Sequence, residues 1–478
     1  MKEKAVQGFF WSFYENVGIK LFSTATYFLL AGLLAPSDFG LVAILNSFLF
    51  FAGLFTGKGS VTAIIQHADL KPENLSSSFW GNMGLGILLY AAMYIAAPHI
   101  ALFYKEPSLT LLLRVGSLNF ISDSLGAVHQ GLIEKQLRIK LVAQARIIST
   151  LISATVGITM AYLDYRVWSL VIQHCLYVFI PVVIFWLRGN WLPSFFFQWK
   201  YWKDILVFNF KFTFNNLNYF LNNYGADLMV GFFLGKNVLG YFSFSYKVYS
   251  TIHFIVLDTI GRVAYPVFSR YNQERGELLR WFFNITRYIS YVALPVFAFA
   301  IILTPVVINT FARQWSNSIP VIQLLCASGI ILIPQYLFNV FLLSLNRHLT
   351  IFWYNTINTA SSLLLVYLCI PYGLVGIAAA LVLKSILVLC VFLVMFKQKF
   401  AVDTINYLKT FFKPMLATAC SVGVALSALL LEAQLGRLVY ALLVVSGGVS
   451  YVLMVFLIDQ EVTKQVKSVF LGKIPKSS

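Results

Sequence analysis

Residues Asp204 to Tyr246 read DILVFNFKFTFNNLNYFLNNYGADLMVGFFLGKNVLGYFSFSY. Their hydrophobicity describes a membrane helix, a turn at Gly235-Lys236-Asn237 and the start of another helix. Within the first of these, Lys211, Asn215, Asn218 and Asn222 recur at i, i+4, i+7 and i+11 and so share one narrow stripe. A second stripe carries Asn209, Asn216, Asn223 and Asp227. Lipid tails offer no hydrogen-bond partners, so both stripes are expected to face protein or a water-filled cavity. One lysine among amides suits a hydroxyl-rich, anionic ligand.

The rest of the chain has the same character. Of 478 residues, 59% are hydrophobic and only 11% charged, against about 25% charged in a soluble domain. That composition describes an all-α, polytopic membrane protein and excludes a globular enzyme. The opening MKEKAVQGFFWSFYENVGIK has no small-residue cleavage site and is expected to begin the first spanning helix. With about 20 apolar residues per crossing, the spans fall at 9–33, 40–63, 78–103, 109–132, 141–163, 167–187, 205–234, 238–268, 281–310, 318–345, 350–370, 374–396, 411–431 and 437–458. This gives about fourteen transmembrane helices.

A net charge of +17 points to nucleic acid in a soluble protein. Here the cations collect at one set of helix ends, among them Lys58, Lys140, Arg146, Arg188, Arg287 and Lys399. The opposite set holds only Lys105, Arg166, Lys236, Arg313 and Arg437. The asymmetry places both termini in the cytoplasm, and no nucleic-acid partner is expected. The five cysteines lie inside apolar segments with no CxxC and no metal-ligand spacing, so neither a metal nor a cofactor is expected.

Two halves echo each other. LLAPSDFGL (Leu33 to Leu41) matches FLGKNVLGY (Phe233 to Tyr241) at a constant offset that carries Pro36 to Lys236 and Gly40 to Gly240. YRVWSLV (Tyr165 to Val171) likewise matches YGLVGIA (Tyr372 to Ala378). Parallel repeats of this kind build transporters. The expected organisation is a first lobe of six helices over 1–190, an aromatic and basic cytoplasmic segment over 191–203, a second six-helix lobe over 204–398, and a C-terminal helix pair with its tail over 399–478.

Charges inside the spans each cost about 2.5–3.5 kcal/mol at mid-bilayer on insertion scales. Lys20 lies near the middle of the first helix on a stripe with Asn16, Ser23 and Tyr27. It either lines a cavity opposite the Lys211 stripe or reaches an acid on another helix. Lys247 shares a stripe with Thr251, Asp258 and Arg262. Asp258 and Arg262, at i and i+4, are expected to neutralise each other, which leaves Lys247 for a ligand. Lys58 either snorkels to the interface or guards the cavity mouth. Asp123, on a stripe with Asn119 and Gln130, either couples an ion or sits in a hydrogen-bonded pair. No HExxH, P-loop or GxSxG occurs. Transport must therefore draw on an ion gradient, the membrane voltage or the substrate's own gradient.

The stretches LLAPSDFGLVAI, VWSLVIQ, ADLMVGFFLGKNVLGYFSFSYKV and AYPVFSR, in this order, resemble the polysaccharide-transporter branch of the multidrug/oligosaccharidyl-lipid/polysaccharide flippase superfamily. The resemblance implies two six-helix lobes in a V shape around a cationic cavity, with two added C-terminal helices. It implies as cargo an undecaprenyl-diphosphate-linked oligosaccharide, moved from the cytoplasmic to the outer leaflet of the bacterial inner membrane for surface polysaccharide synthesis. In related lipid II flippases the first, second and eighth helices supply cavity cations; Lys20, Lys58 and Lys247 stand on those helices here, with lysine in place of arginine. Membrane lipids, a polysaccharide polymerase and glycosyltransferases are the implied partners. The alternative is a multidrug or small-cation antiporter of the same superfamily, which should carry acids in its cavity.

Overall fold

A computed structural model describes residues 2–56, 58–66, 71–429 and 438–459; side chains are described except at 2–17, 58, 59, 66, 204, 205, 208–216, 259, 260, 262, 263, 311, 428, 429 and 438–445. Among the described residues all regular structure is helical. Nine segments there, from Pro36–Gly53 to Thr404–Ser427, are long and apolar enough to cross a membrane. The chain is a multi-pass membrane protein. Contacts divide it into two units, Met1–Phe244 and Ser245–Ser478.

The first unit holds α1 (Lys2–Leu33), α2 (Pro36–Gly53), α3 (Lys58–Gln66), α4 (Pro72–Phe103), α5 (Leu109–Gly116), α6 (Leu118–Lys135), α7 (Ile139–Tyr162), α8 (Val167–Arg188) and most of α9 (Trp199–His253). Proline opens α2 where its missing N–H costs nothing. The Asp38 carboxylate accepts the Ala35 N–H at 3.2 Å, tying down an amide ahead of the first turn. The span expected over 40–63 is broken after Gly53: Leu54 to Thr56 form turns before α3 begins. A hydropathy window averages across such a gap and does not see it.

The turn expected at Gly235-Lys236-Asn237 is a single-residue break in α9. Gly235 takes φ 78° and ψ 175°, a conformation open almost only to glycine. The repeated motifs then meet backbone to backbone. A Cβ on Gly40 would lie 1.8 Å from the Lys236 carbonyl oxygen, and a Cβ on Gly240 1.8 Å from the Pro36 carbonyl oxygen. Each glycine thus faces the position equivalent to the one its counterpart faces, so the contact is reciprocal. The Lys236 ammonium is also bonded to Glu106 at 2.7 Å.

The segment after α8 is pinned to α4. Trp80 Nε1 donates to the Ser194 carbonyl at 2.8 Å, and the Gln198 N–H donates to Ser77 Oγ at 3.0 Å. Trp202 fills the notch left by Gly81, where a Cβ would fall 2.1 Å from the indole ring.

The second unit contains α10 (Thr259–Arg270), α11 (Arg275–Phe311), α12 (Ile319–Tyr336), α13 (Phe338–Ser344), α14 (His348–Cys369), α15 (Gly373–Phe400), α16 (Thr404–Lys409), α17 (Phe412–Leu429) and α18 (Leu438–Ile458). Its core is aromatic. Phe282, Phe338, Phe341, Phe392, Phe396 and Tyr407 are all essentially buried, with ring centroids 5.0 Å apart for Phe282–Phe341 and 4.9 Å for Phe338–Phe392. The C-terminal pair is held by Asp459, whose side chain is fully buried. It accepts from the Tyr291 hydroxyl at 2.6 Å and from the Arg287 guanidinium, with Lys413 Nζ at 3.8 Å.

Four proline kinks in the spanning helices are each answered by a donor from a neighbouring helix. A proline deprives the carbonyl four residues back of its N–H partner, and inside a bilayer that carbonyl needs another donor. Pro98 frees Tyr94, which receives Arg114 Nε at 3.4 Å; Pro181 frees Tyr177, which receives Ser149 Oγ at 2.7 Å. Pro295 frees Tyr291, which receives the Tyr451 hydroxyl at 2.5 Å; Pro305 frees Ile301, which receives Gln323 Nε2 at 3.0 Å. Each donor comes from a neighbouring helix, so the kinks also fasten helices together.

Candidate functional site

Five helices of the first unit enclose a cavity of about 560 Å³. α2 contributes Asn46; α6 contributes Asn119, Asp123 and Gln130; α7 contributes Arg146. α8 adds His174 and Tyr177, and α9 adds Tyr224, Asp227 and Ser243. The α6 residues fall together because i, i+4 and i+11 repeat on one helical face. The Pro181 kink of α8 also lines the space.

Polar groups line this wall in an otherwise apolar protein. Asn119 is only 6% exposed, and its Nδ2 has no hydrogen-bond partner among the described residues. A buried amide donor left unmade costs about 1–3 kcal/mol, so a donor facing a cavity is suited to an acceptor that arrives with a ligand. Gln130 Nε2 donates to Glu134 at 2.8 Å, which fixes the orientation of this amide in the wall. With carboxylates, amides, phenols, an imidazole and a guanidinium, the wall offers donors and acceptors on every side. Aromatic faces at Tyr177, Tyr224 and Phe50 complete it.

Of the residues singled out in the sequence, Asp123 with its stripe neighbours Asn119 and Gln130, and Asp227 of the second α9 stripe, line this cavity. Lys20, Asn218 and Asn222 lie half-buried on α1 and α9 of the same unit but are not part of its wall. Lys247 and Asp258 belong to the second unit. The side chains of Asn16, Lys58, Lys211, Asn215 and Arg262 lie outside the described residues. The Asp258 carboxylate accepts the Tyr336 hydroxyl at 2.7 Å and lies 3.6 Å from His253 Nδ1. These partners meet it at the end of a π-helical turn, Phe254–Asp258, a departure from α geometry that often marks functional positions.

Arg146, His174, Tyr177 and Tyr224 are cavity residues that the sequence reading did not assign. Arg146 had been counted with the cations at a helix end, but it lies inside α7. A signal was present: Arg146 stands well beyond Arg138 and Lys140, too deep for a simple end cation.

Residues 29–320 match the family model described as polysaccharide biosynthesis protein. The chain belongs to that family. This match covers the motifs that carried the resemblance to the polysaccharide-transporter branch of the flippase superfamily. Among its relatives, the teichuronic acid biosynthesis protein TuaB of Bacillus subtilis (strain 168) is 23% identical over 69% of each chain. The succinoglycan biosynthesis transport protein ExoT of Rhizobium meliloti (strain 1021) is 22% identical over 74% of this chain and 72% of its own. The lipid II flippase MurJ, in its inward closed conformation, shares the fold. Its TM-score is 0.69 at 16% identity, covering 94% of this family member and 99% of MurJ.

Proposed function

We propose that this chain is a flippase that carries an undecaprenyl-diphosphate-linked oligosaccharide across the bacterial inner membrane by alternating access. The observation that carries the reading is the first-unit cavity, a polar chamber with an unpartnered buried amide at Asn119, in a member of a polysaccharide biosynthesis family. The names of TuaB and ExoT, and the fold of MurJ, support it.

The wall suits sugars better than phosphates. Asp123 and Asp227 share the chamber lining with Arg146. Carboxylates repel a diphosphate but accept hydrogen bonds from hydroxyls, and the rings of Tyr177 and Tyr224 suit the faces of sugar rings. The oligosaccharide therefore passes through this chamber. The diphosphate is met by Lys20, Lys58, Lys211 and Lys247, with Asn16, Asn215, Asn218 and Asn222 beside them, while the prenyl tail stays in lipid. Outward movement of each negative charge is favoured by about 2.3 kcal/mol per 100 mV of inside-negative potential.

Fourteen helices, lobes over 1–190 and 204–398 joined by 191–203, a C-terminal pair over 399–478, cytoplasmic termini, and a polymerase and glycosyltransferases as pathway partners belong to the same proposal. Asp123 and Asp227 together favour a second reading, the cation antiporter, for which acids in the cavity are the expected mark.

Export separates the two. In a host whose surface polysaccharide depends on this chain, Asn119→Ala and Asp227→Asn should each lower export roughly tenfold at unchanged membrane level, the loss of about one buried hydrogen bond. Lys20→Ala should do the same through the diphosphate. Undiminished export together with lost resistance to cationic dyes would establish the antiporter instead.

A further inference from the structure

A second cavity, about 910 Å³, lies between the beginning of α7 and the end of α8, apart from the polar chamber. Its mouth carries Arg138, Lys140 and Arg188, and its lining includes no carboxylate. Arg138 Nη1 donates to the Arg188 carbonyl at 3.3 Å, which seats that guanidinium over the last turn of α8. Beyond the cations and Gln144 the walls are hydrocarbon. Ile148 and Leu187, on two membrane-spanning helices, are 42% and 77% exposed, and Ile184 also lines the groove.

We infer that this groove is a binding site for an anionic glycerophospholipid, its phosphate held by Arg138, Lys140 and Arg188 and its acyl chains laid against Ile148, Ile184 and Leu187. Charge complementarity and depth both favour that occupant. Guanidinium groups match phosphate oxygens in a planar fork, and the apolar walls continue the hydrocarbon layer in which acyl chains already lie. An acidic peptide would satisfy the cations but leave isoleucine and leucine facing polar backbone. The surrounding leaflet supplies phospholipid in large excess over any prenyl-linked carrier, and mass action fills the groove accordingly. The site stands whether or not the chain is a flippase, because none of its residues belongs to the polar chamber.

The test uses the purified full chain in detergent, with thermal unfolding followed in the presence of phosphatidylglycerol or phosphatidylcholine. Phosphatidylglycerol should raise Tm by roughly 2 °C more than phosphatidylcholine does. Combined Arg138→Gln, Lys140→Gln and Arg188→Gln should abolish that difference. Combined Lys397→Gln, Lys399→Gln and Lys409→Gln, which remove the same charge elsewhere, should preserve it. If the triple variant does not fold, Arg188→Gln alone should remove part of the difference. The assignment is overturned by a lipid preference that survives undiminished in the triple variant or in Arg188→Gln, by equal responses of the unmodified chain to the two lipids, or by stabilisation with undecaprenyl phosphate and not with phosphatidylglycerol.

Discussion

Asp459→Ala should lower the stability of the protein by roughly 3–5 kcal/mol, the usual cost of removing one partner from a buried ion pair. The carboxylate is inaccessible to water and accepts from both Arg287 and Tyr291. Without it, the Arg287 guanidinium, 19% exposed, keeps its charge in an apolar setting, and the Tyr291 hydroxyl loses its acceptor. Lys413, about half exposed, can turn to solvent and contributes little. Thermal unfolding of the purified protein checks this. Replacing both members, as Arg287→Met with Asp459→Leu, should recover most of the loss, because no charge is then stranded. A wild-type Tm for Asp459→Ala would show that the C-terminal helices are held by other contacts.

Gly40→Ala and Gly240→Ala should each destabilise the first unit by at least 1–3 kcal/mol, the range for overpacking a tight site. The obstruction is backbone in both cases: a methyl group would sit 1.8 Å from a carbonyl oxygen. No rotamer change relieves that, so α2 and the second leg of α9 must move apart. Gly84→Ala is the control, since a Cβ there meets nothing within 4 Å. In a helix interior that change should be neutral or favourable by up to about 1 kcal/mol. Unaltered thermal stability of Gly240→Ala would mean that the two turns do not touch.

Much of this architecture is visible in the sequence because it is local. Pro36 and Gly235 mark breaks by their own backbone limits, and the offset joining Gly40 to Gly240 is plain in the two motifs. The stripe of Asn119, Asp123 and Gln130 needs only helical periodicity, and all three line the cavity. What was not visible is long-range. Arg287 reads as a cation at a helix end until Asp459, 172 residues further on, is brought against it. The Arg262 side chain expected beside Asp258 lies outside the described residues; the Tyr336 hydroxyl and the His253 ring, which the sequence does not place there, are neighbours of that carboxylate. Arg146 escapes assignment to the cavity for a related reason: counting cations by sequence position does not say which way a side chain points. The donors that answer the proline kinks, such as Gln323 for Ile301, look like ordinary polar residues until the helices are packed.

The passage of oligosaccharide through the first-unit chamber is tested most directly by photocrosslinking. A benzoylphenylalanine placed at Asn119, in membrane vesicles containing labelled lipid-linked oligosaccharide, should capture the sugar portion. The same probe at Tyr367, which is 57% exposed on α14, should not. An export-competent Asn119 probe variant that never captures the sugar would contradict a route through this cavity.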